Sequence, residues 1–548
     1  MKGAKLLLEC LKREGVDTLF GYPGGAVIPL YDALYGDKDF KHIRTAHEQG
    51  AVHAADGYAR STGKIGVCFV TSGPGATNTV TGLATAYMDS SPLLVISGQV
   101  STDLLGKDSF QEVDITGITF SVTKHNFLIR DVKDIPEVLH KACKIAREGR
   151  PGPVLIDVPK DVFLAEWDFD MRNYKNFKHN QCEFKKNNEM EKVIEIINNS
   201  KKPVIYAGGG VNISNASKEL LAFAEKGDIP VVSTLMGLGS VNRNHELSLG
   251  LVGMHGFKEN NMAVANCDLL LAIGARFSDR VIGDSEDFAS KAKIVHIDID
   301  SSEIDKNVNA DFSLLGDLKF TLAKLGENIK ENNHKSWRKT IEKWEIQNIS
   351  KEKFHPKNIL EAFNNKLGEN AIVATDVGQH QMWTAQYWKF NHSHSFITSG
   401  GLGTMGFGLG AAIGAKIGNN KDQVLLVTGD GSFRMNSNEL FTVSKYNIPI
   451  TILLINNTVL GMVRQWQRMF FGGRYSETDN NFVDYVKLVQ AYGIEAHCAN
   501  NMGELNEVLN KASLGEKPVF IQCNIDKDES VYPIVPPGKA IYNVLMEG

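Results

Sequence analysis

One unit recurs along this chain and limits what it can become: a short apolar run, a Gly or Pro turn, then a helical pattern. Gly66-VCFVTSGPG leads into ATNTVTGLATAYMDS, and Gln423-VLLVTGDG leads into another helical stretch. Strands that alternate with helices build parallel sheets joined by crossover helices. The unit appears in three blocks. Residues 1–165 hold Asp17-TLFGYPGG, His42-IRTAHEQ, Pro92-LLVISG and Pro153-VLIDVP besides the Gly66 run. Residues 191–326 hold Pro203-VIYAGGG, Pro230-VVSTLMG, Cys267-DLLLAIGARF and Ala292-KIVHIDID. Residues 355–548 hold Asn370-AIVATDVG, Ile448-PITILLINN and Lys517-PVFIQCNID besides the Gln423 run. Between them lie 166–190, polar and Asn/Lys-rich, and 327–354, whose alternating acids and bases read as a solvated helix in a linker. The expected fold is α/β, with three doubly wound parallel-sheet domains.

Length and composition agree. At roughly 150 residues per domain, 548 residues make three or four. With 43% hydrophobic and 22% charged residues, the chain can fill several cores, which excludes disorder as the main state. The formal net charge of −5 argues against nucleic acid or an anionic membrane as a partner. The apolar runs fall short of the ~20 residues a membrane helix needs. Seven scattered cysteines with no CxxC read as small buried hydrophobes in a reducing compartment. The N-terminal segment reads as an amphipathic helix rather than a targeting signal, so a cytoplasmic location is expected.

The most specific chemical signal lies in the third block. Gly429-Asp430-Gly431-Ser432 ends one apolar strand, and Asn456-Asn457 ends the next. A carboxylate and an amide oxygen are hard ligands suited to Mg²⁺. At the carboxyl edge of an open sheet they stand where such folds bind ligands. A helix beginning near Met435 would offer its amides to a phosphate. GDG alone is a common tight turn; GDG followed by a strand ending in NN is far more specific. It resembles the metal-diphosphate motif of thiamine diphosphate enzymes, which implies Asp430, Asn457 and the backbone carbonyl of Val459 as metal ligands.

Such enzymes also use a glutamate against N1′ of the cofactor's aminopyrimidine, which promotes loss of the C2 proton. Glu48, in Thr45-AHEQG, follows an apolar strand and starts a helix. A Glu at a helix N-terminus is by itself only a favourable dipole partner. Beside the GDG-NN motif it becomes the candidate for this role.

Further segments extend the likeness from end to end: YPGGA (22–26), HEQGAVHAADGYAR (47–60), TSGPGATN (71–78), SFQEVD (109–114), GRPGPVLIDVPKD (149–161), GLVGMHG (250–256), GARFSDRVIG (274–283), DVGQHQMW (376–383), TSGGLGTMGFGLG (398–410) and NNTVLGMVRQWQ (456–467). Together they resemble the catalytic subunits of biosynthetic acetohydroxyacid (acetolactate) synthases. The resemblance implies an enzyme that decarboxylates pyruvate on thiamine diphosphate. It would condense the two-carbon unit with a second pyruvate or with 2-ketobutyrate, giving 2-acetolactate or 2-aceto-2-hydroxybutyrate for branched-chain amino acid synthesis. It implies a homodimer or dimer of dimers, the cofactor lying between domains of two subunits, and a small regulatory subunit.

The implied diphosphate-side residues are Gly378, Gln379, His380, Gly403, Met405, Gly429 to Ser432, Asn457, Leu460, Gly461 and Met462. Pro23, Gly24, Glu48, Pro74 and Asn78 are implied on the pyrimidine side. A largely structural FAD is implied in the middle domain, on Arg150, Gly208, Gly209, Gly210, Thr234, Leu235, Met254, His255, Gly274, Ala275, Arg276, Arg280, Asp298, Ile299 and Asp317. Arg280 would hold the second substrate's carboxylate, for which a guanidinium is suited. Trp466 and Met254 would shape its apolar pocket, with Gly25, Phe110, Gln111 and Lys160 as further site candidates. The chain departs from the family at Ser101 and Gly410, where proline is frequent; Ser101 leaves inhibitor sensitivity open, and Gly410 would loosen the start of a helix. The alternatives are a flavin-free catabolic acetolactate synthase, a pyruvate oxidase, or a noncatalytic relative that had lost Glu48, Asp430 or Asn457. All three of those residues are present.

Overall fold

The computed structural model describes residues 1–174, 189–345 and 354–546. They form three six-stranded sheets, all parallel. The first comprises β1 (Thr18–Gly21), β2 (Lys41–Arg44), β3 (Gly66–Val70), β4 (Leu93–Gln99), β5 (His125–Leu128) and β6 (Val154–Pro159), in the order β2-β1-β3-β4-β6-β5. The second comprises β7 (Pro203–Ala207), β8 (Val231–Ser233), β9 (Ser248–Leu251), β10 (Leu269–Ile273), β11 (Lys293–Asp298) and β12 (Phe312–Leu315), in the order β12-β11-β10-β7-β8-β9. The third comprises β13 (Ile372–Thr375), β14 (Phe396–Ile397), β15 (Val424–Gly429), β16 (Thr451–Asn456), β17 (Glu495–Ala499) and β18 (Val519–Asn524), in the order β14-β13-β15-β16-β18-β17.

Numbered within each domain, the first and third sheets share one strand order, 2-1-3-4-6-5. The middle sheet reads 3-2-1-4-5-6, the dinucleotide-binding order, with its switch point between β7 and β10. The inner strands β3, β4, β10 and β15 are buried along their whole length, as helices on both faces of a parallel sheet require. Five strands that no apolar run had marked, β5, β9, β12, β14 and β17, all lie at sheet edges or, like β14, pair only two residues.

First and third domains meet along helices Glu48–Thr62 and Phe407–Gly418. The axes approach so closely that a Cβ at Gly57 would run into the carbonyl of Ala411, and one at Gly414 into the carbonyl of Ala54. Gly410 belongs to this seam: a Cβ there would lie 2.8 Å from that of His53, so its glycine serves packing.

Three sequence expectations are corrected. The helix placed near Met435 begins at Asp430 itself and runs to Asn436. The charged stretch after 327 is not merely solvated. Helix Lys335–Glu342 buries Trp337 and Ile341, and the Trp337 indole donates to the Pro203 carbonyl at 3.2 Å, because its apolar residues fall one turn apart. Of the cysteines, Cys498 is exposed on edge strand β17, whereas Cys10, Cys68, Cys143, Cys267 and Cys523 are buried; Cys182 lies outside the described residues. No helix among the described residues is long and apolar enough to cross a membrane.

Candidate active site

At the carboxyl edge of the third sheet, Asp430 and Asn457 stand just beyond the paired ends of β15 and β16. Asp430 is buried, which raises its pKa, against hydrogen bonding that favours the charged form. Its Oδ2 accepts from the Asn480 amide at 2.8 Å. The Asn457 amide donates to Gln379 Oε1 at 3.0 Å, and its oxygen accepts from the Val459 N–H at 3.3 Å. Thr458 turns the chain in the left-handed region (φ 60°) to reach Val459. One carboxylate, one carboxamide and a nearby backbone carbonyl form a sparse set of hard oxygen donors, suited to a divalent cation that keeps other oxygens from phosphate or water.

The surrounding positions make a cradle. A Cβ at Gly403 would find its nearest neighbour 4.0 Å away, so the space above it is open. Gly431 faces Leu460 and Met405, and the Ser432 hydroxyl donates to the Val377 carbonyl at 2.8 Å. Gly461 packs against Gln379 and Asn457, where a side chain would not fit. Burial pushes His380 down to about 3, so its ring is neutral; its Nε2 is buried and has no hydrogen-bond partner among the described residues. Gly429 sits against that ring and Gly378 begins its helix.

A second cluster forms at the first sheet. Glu48 is the first residue of helix Glu48–Thr62, with His47 as its cap: His47 Nδ1 accepts from the Gln49 N–H at 3.1 Å. Glu48 Oε2 accepts from the Asn78 amide at 3.0 Å. A Cβ at Gly75 would lie 3.3 Å from Glu48 Oε1, and both Gly75 and Gly24 pack on Thr71. Pro23-Gly24, Pro74, Asn78 and Glu48 therefore share one edge. Gln111, with φ 61°, backs onto Gly73. Phe110 is 88% exposed, and nothing lies within 4 Å of a Cβ at Gly25. Lys160 opens helix Lys160–Leu164 at the end of β6, half-buried, with no tie to Glu48.

A cavity of about 2100 Å³ is lined by residues of all three domains, the first contributing Arg60, Met88 to Pro92 and Arg147 to Pro151. One end is the switch point of the middle sheet. There the Gly208 N–H donates to the Ile273 carbonyl at 2.9 Å, and the Gly210 N–H to the Gly274 carbonyl at 3.0 Å. A side chain on Gly208 or Gly210 would collide with the 274–275 backbone, so only glycines let the two loops touch. Gly209, Thr234, Leu235, Ala275, Arg276, Asp298, Ile299 and Asp317 also line it. Asp298, at the end of β11, has its pKa raised by burial. Thr234 and Asp317 are also caps, accepting from the N–H groups of Gly237 and Phe320 at 3.1 Å each. Arg150 reaches in from the first domain and donates to Glu303 at 2.6 Å and Asp300 at 3.2 Å.

At the other end the Arg280 guanidinium lies 6.0 Å from the centre of the Trp466 ring. The Met254 N–H donates to the Arg280 carbonyl at 2.8 Å. His255 is beside them, pushed down to about 4 by burial. Gly378, Gly403 and Met462 line the same cavity. Glu48, Phe110, Gln111 and Lys160 lie outside its lining.

Two residues here carried no role in the sequence reading. Asp376 accepts from the N–H groups of Gly406 and Gly408 at 2.8 and 2.9 Å and from the Thr428 hydroxyl at 2.8 Å, tying the end of β13 to β15 and to the start of helix Phe407–Gly418. Its signal was an Asp closing an apolar strand. Asn480 had none, because its contact with Asp430 spans 50 residues of loop and helix.

Comparison with known proteins bears on this arrangement. The chain matches three models: thiamine pyrophosphate enzyme N-terminal TPP binding domain over residues 1–118, central domain over 190–325, and C-terminal TPP binding domain over 376–523. It is 47% identical to the probable acetolactate synthase large subunit of Methanocaldococcus jannaschii, covering 100% of this chain and 95% of that one. It is 44% identical to the acetolactate synthase large subunit of Porphyra purpurea, covering 98% and 94%. It is 43% identical to the acetolactate synthase isozyme 2 large subunit of Escherichia coli (strain K12), covering 98% of each. With two domains of one strand order flanking a dinucleotide-type sheet, and relatives matched over their whole length, this chain belongs to the thiamine pyrophosphate enzymes, in the family of acetolactate synthase large subunits.

Proposed function

We propose that the chain is the catalytic subunit of an acetolactate synthase, joining pyruvate to a second 2-ketoacid, pyruvate or 2-ketobutyrate, with loss of CO₂. The observation that carries this is the meeting of Arg280, Trp466 and Met254 at one end of a cavity that continues to the Gly378 and Gly403 cradle. A cation beside an apolar wall suits a small ketoacid: carboxylate on the guanidinium, alkyl group on the indole.

Asp430, Asn457 and the Val459 carbonyl would hold Mg²⁺, and His380, Gln379 and the glycines at 403 and 429–431 the diphosphate. The open cradle, the unpartnered His380 Nε2 and the oxygen-only donor set fit that anchor. When bound, thiamine diphosphate supplies the carbon nucleophile and the electron sink for decarboxylation. Glu48 would exchange a proton with the cofactor's pyrimidine through its carboxylate, and Asn78 orients that carboxylate by its hydrogen bond. Arg280 binds and orients the second substrate. Trp466 and Met254 exclude water and sense the length of its alkyl chain.

FAD fits the other end of the cavity. The glycine loops at 208–210 and 274 line the cavity at the switch point, where a dinucleotide's pyrophosphate would lie, and Asp298 and Asp317 stand at nearby loop ends. The Glu48 cluster lies outside the cavity of its own chain, which supports a dimer in which each site takes its glutamate from the other subunit. That the relatives are named large subunits supports a small regulatory partner. The test is direct: purified protein receives pyruvate, thiamine diphosphate and Mg²⁺, with and without 2-ketobutyrate, and acetolactate is assayed. Acetolactate made by a yellow protein upholds the reading. Failure to form it, or formation of acetyl phosphate with oxygen uptake, rejects it.

A further inference from the structure

Glu439 lies outside every role assigned above, yet its side chain is 0% exposed. It sits in the turn Ser437–Glu439, directly after the helix that carries Asp430. Buried carboxylates are rare without a partner. Among the described residues, the partners of this one are donors rather than a cation. Its oxygens accept from the Ala46 N–H at 3.2 and 3.1 Å, from the His47 N–H at 3.0 Å and from the Thr442 hydroxyl at 2.6 Å. Ala46 and His47 immediately precede Glu48. Gly50 completes the seat: a Cβ there would strike the Glu439 carboxylate. The same turn is tied to the cradle, for the Asn436 amide donates to the Gly406 carbonyl at 2.9 Å.

We infer that Glu439 is a positioning residue for Glu48: a carboxylate from the third domain fixes the two backbone amides that set where Glu48 points. The inference rests on the role proposed for Glu48. Two N–H bonds from consecutive residues, closed by the start of a helix, restrict both translation and tilt of that helix end. A neutral amide in place of the carboxylate would present its NH₂ to donors, and that seat would open. In the proposed dimer the same turn also braces the Asp430 helix of one site against the glutamate of the other.

The test uses the full chain. In the cofactor-free protein, Glu439→Gln should speed deuterium uptake at the amides of Ala46 and His47, read by mass spectrometry on a peptide spanning them. With thiamine diphosphate and Mg²⁺ added, it should slow exchange of the cofactor's C2 proton, read by NMR after acid quench, on the order of 100-fold, as misplacing a reacting group by about an ångström does. Cofactor affinity should stay at the parent's value, and Glu439→Asp should restore an intermediate rate. Parental deuterium uptake, or parental C2 exchange, in Glu439→Gln overturns the inference. If Glu439→Gln does not fold, Glu439→Asp decides, and a parental C2 exchange rate there overturns it. Glu48→Gln is the control. If it exchanges as fast as the parent, the proposed role of Glu48 falls and this inference with it; if it alone is slow, only the role of Glu439 falls.

Discussion

The first and third sheets run their strands in the same order, yet their carboxyl edges carry different chemistry. After its second strand the first domain starts a helix with Glu48, whereas the third domain at that place runs through the open Gly403 loop into helix Phe407–Gly418. These two equivalent helices are the pair that pack on each other. After its third and fourth strands the third domain carries Asp430 and Asn457, whereas the first has Thr71-Ser72-Gly73-Pro74 and Val100. On the proposed reading, one scaffold serves once for the acid that faces the cofactor's pyrimidine and once for its metal-diphosphate anchor. What differs is a handful of residues just past the strand ends, where a parallel sheet leaves its loops free to vary.

That division of labour can be broken residue by residue. Glu48→Gln should reduce acetolactate formation by about 10²- to 10⁴-fold, the usual worth of a positioned acid or base. Its circular dichroism should match the parent's, and parental turnover would remove Glu48 from its role. Asp430→Ala should leave C2-proton activation possible but weaken retention of Mg²⁺ and diphosphate. The loss should exceed the roughly 10- to 100-fold that follows loss of a metal ligand's neighbour. Dialysis followed by activity at graded Mg²⁺ measures it. Gly414→Leu attacks the seam between the two domains rather than either edge. It should cost about 1–3 kcal/mol or more in stability, because overpacking outweighs the gain in helix propensity; thermal unfolding reads the loss.

Trp466→Leu tests the cavity that all three domains line. It should shift the 2-ketobutyrate to pyruvate product ratio by no more than the roughly 1–3 kcal/mol that one methylene commands. A competition assay with both ketoacids gives the ratio, and an unchanged ratio denies Trp466 its part. The mildest test concerns the fourth residue of the last strand, Asp157 in the first sheet and Gln522 in the third. Burial raises Asp157 to about 7, against hydrogen bonds from Ser97 and Gln99. A raised folded pKa means that the native state binds the proton more tightly than the unfolded chain. Stability is therefore lost as pH rises from about 4 to about 7 and stays lower above that. Asp157→Asn should remove that slope, so its melting temperature should gain on the parent's across this window; parallel curves would discount the effect.

How far the sequence speaks depends on how local the cause is. Inner strands such as Leu269–Ile273 and Val424–Gly429 are legible as apolar runs because they are buried on both faces. Edge strands such as β5 (HNFL) and β17 (EAHCA) are not, because one side meets solvent and tolerates His, Asn and Glu. Trp337 was hidden for the opposite reason: its neighbours are charged, and only the helix period shows that it faces inward.

From the sequence alone came the three-block α/β architecture, the Glu48 and Asp430–Asn457 candidates and their order along the chain. Each is written in a few adjacent residues, since a strand end, a turn and a helix start obey short-range sterics and hydrogen bonding. Only the tertiary structure brought Arg280 to Trp466, matched the strand orders of the first and third sheets, and laid Glu439 on the amides of Ala46 and His47, some 392 residues away for the latter. Such contacts arise from how whole domains pack, and packing depends on the summed shape of many side chains rather than on any one motif.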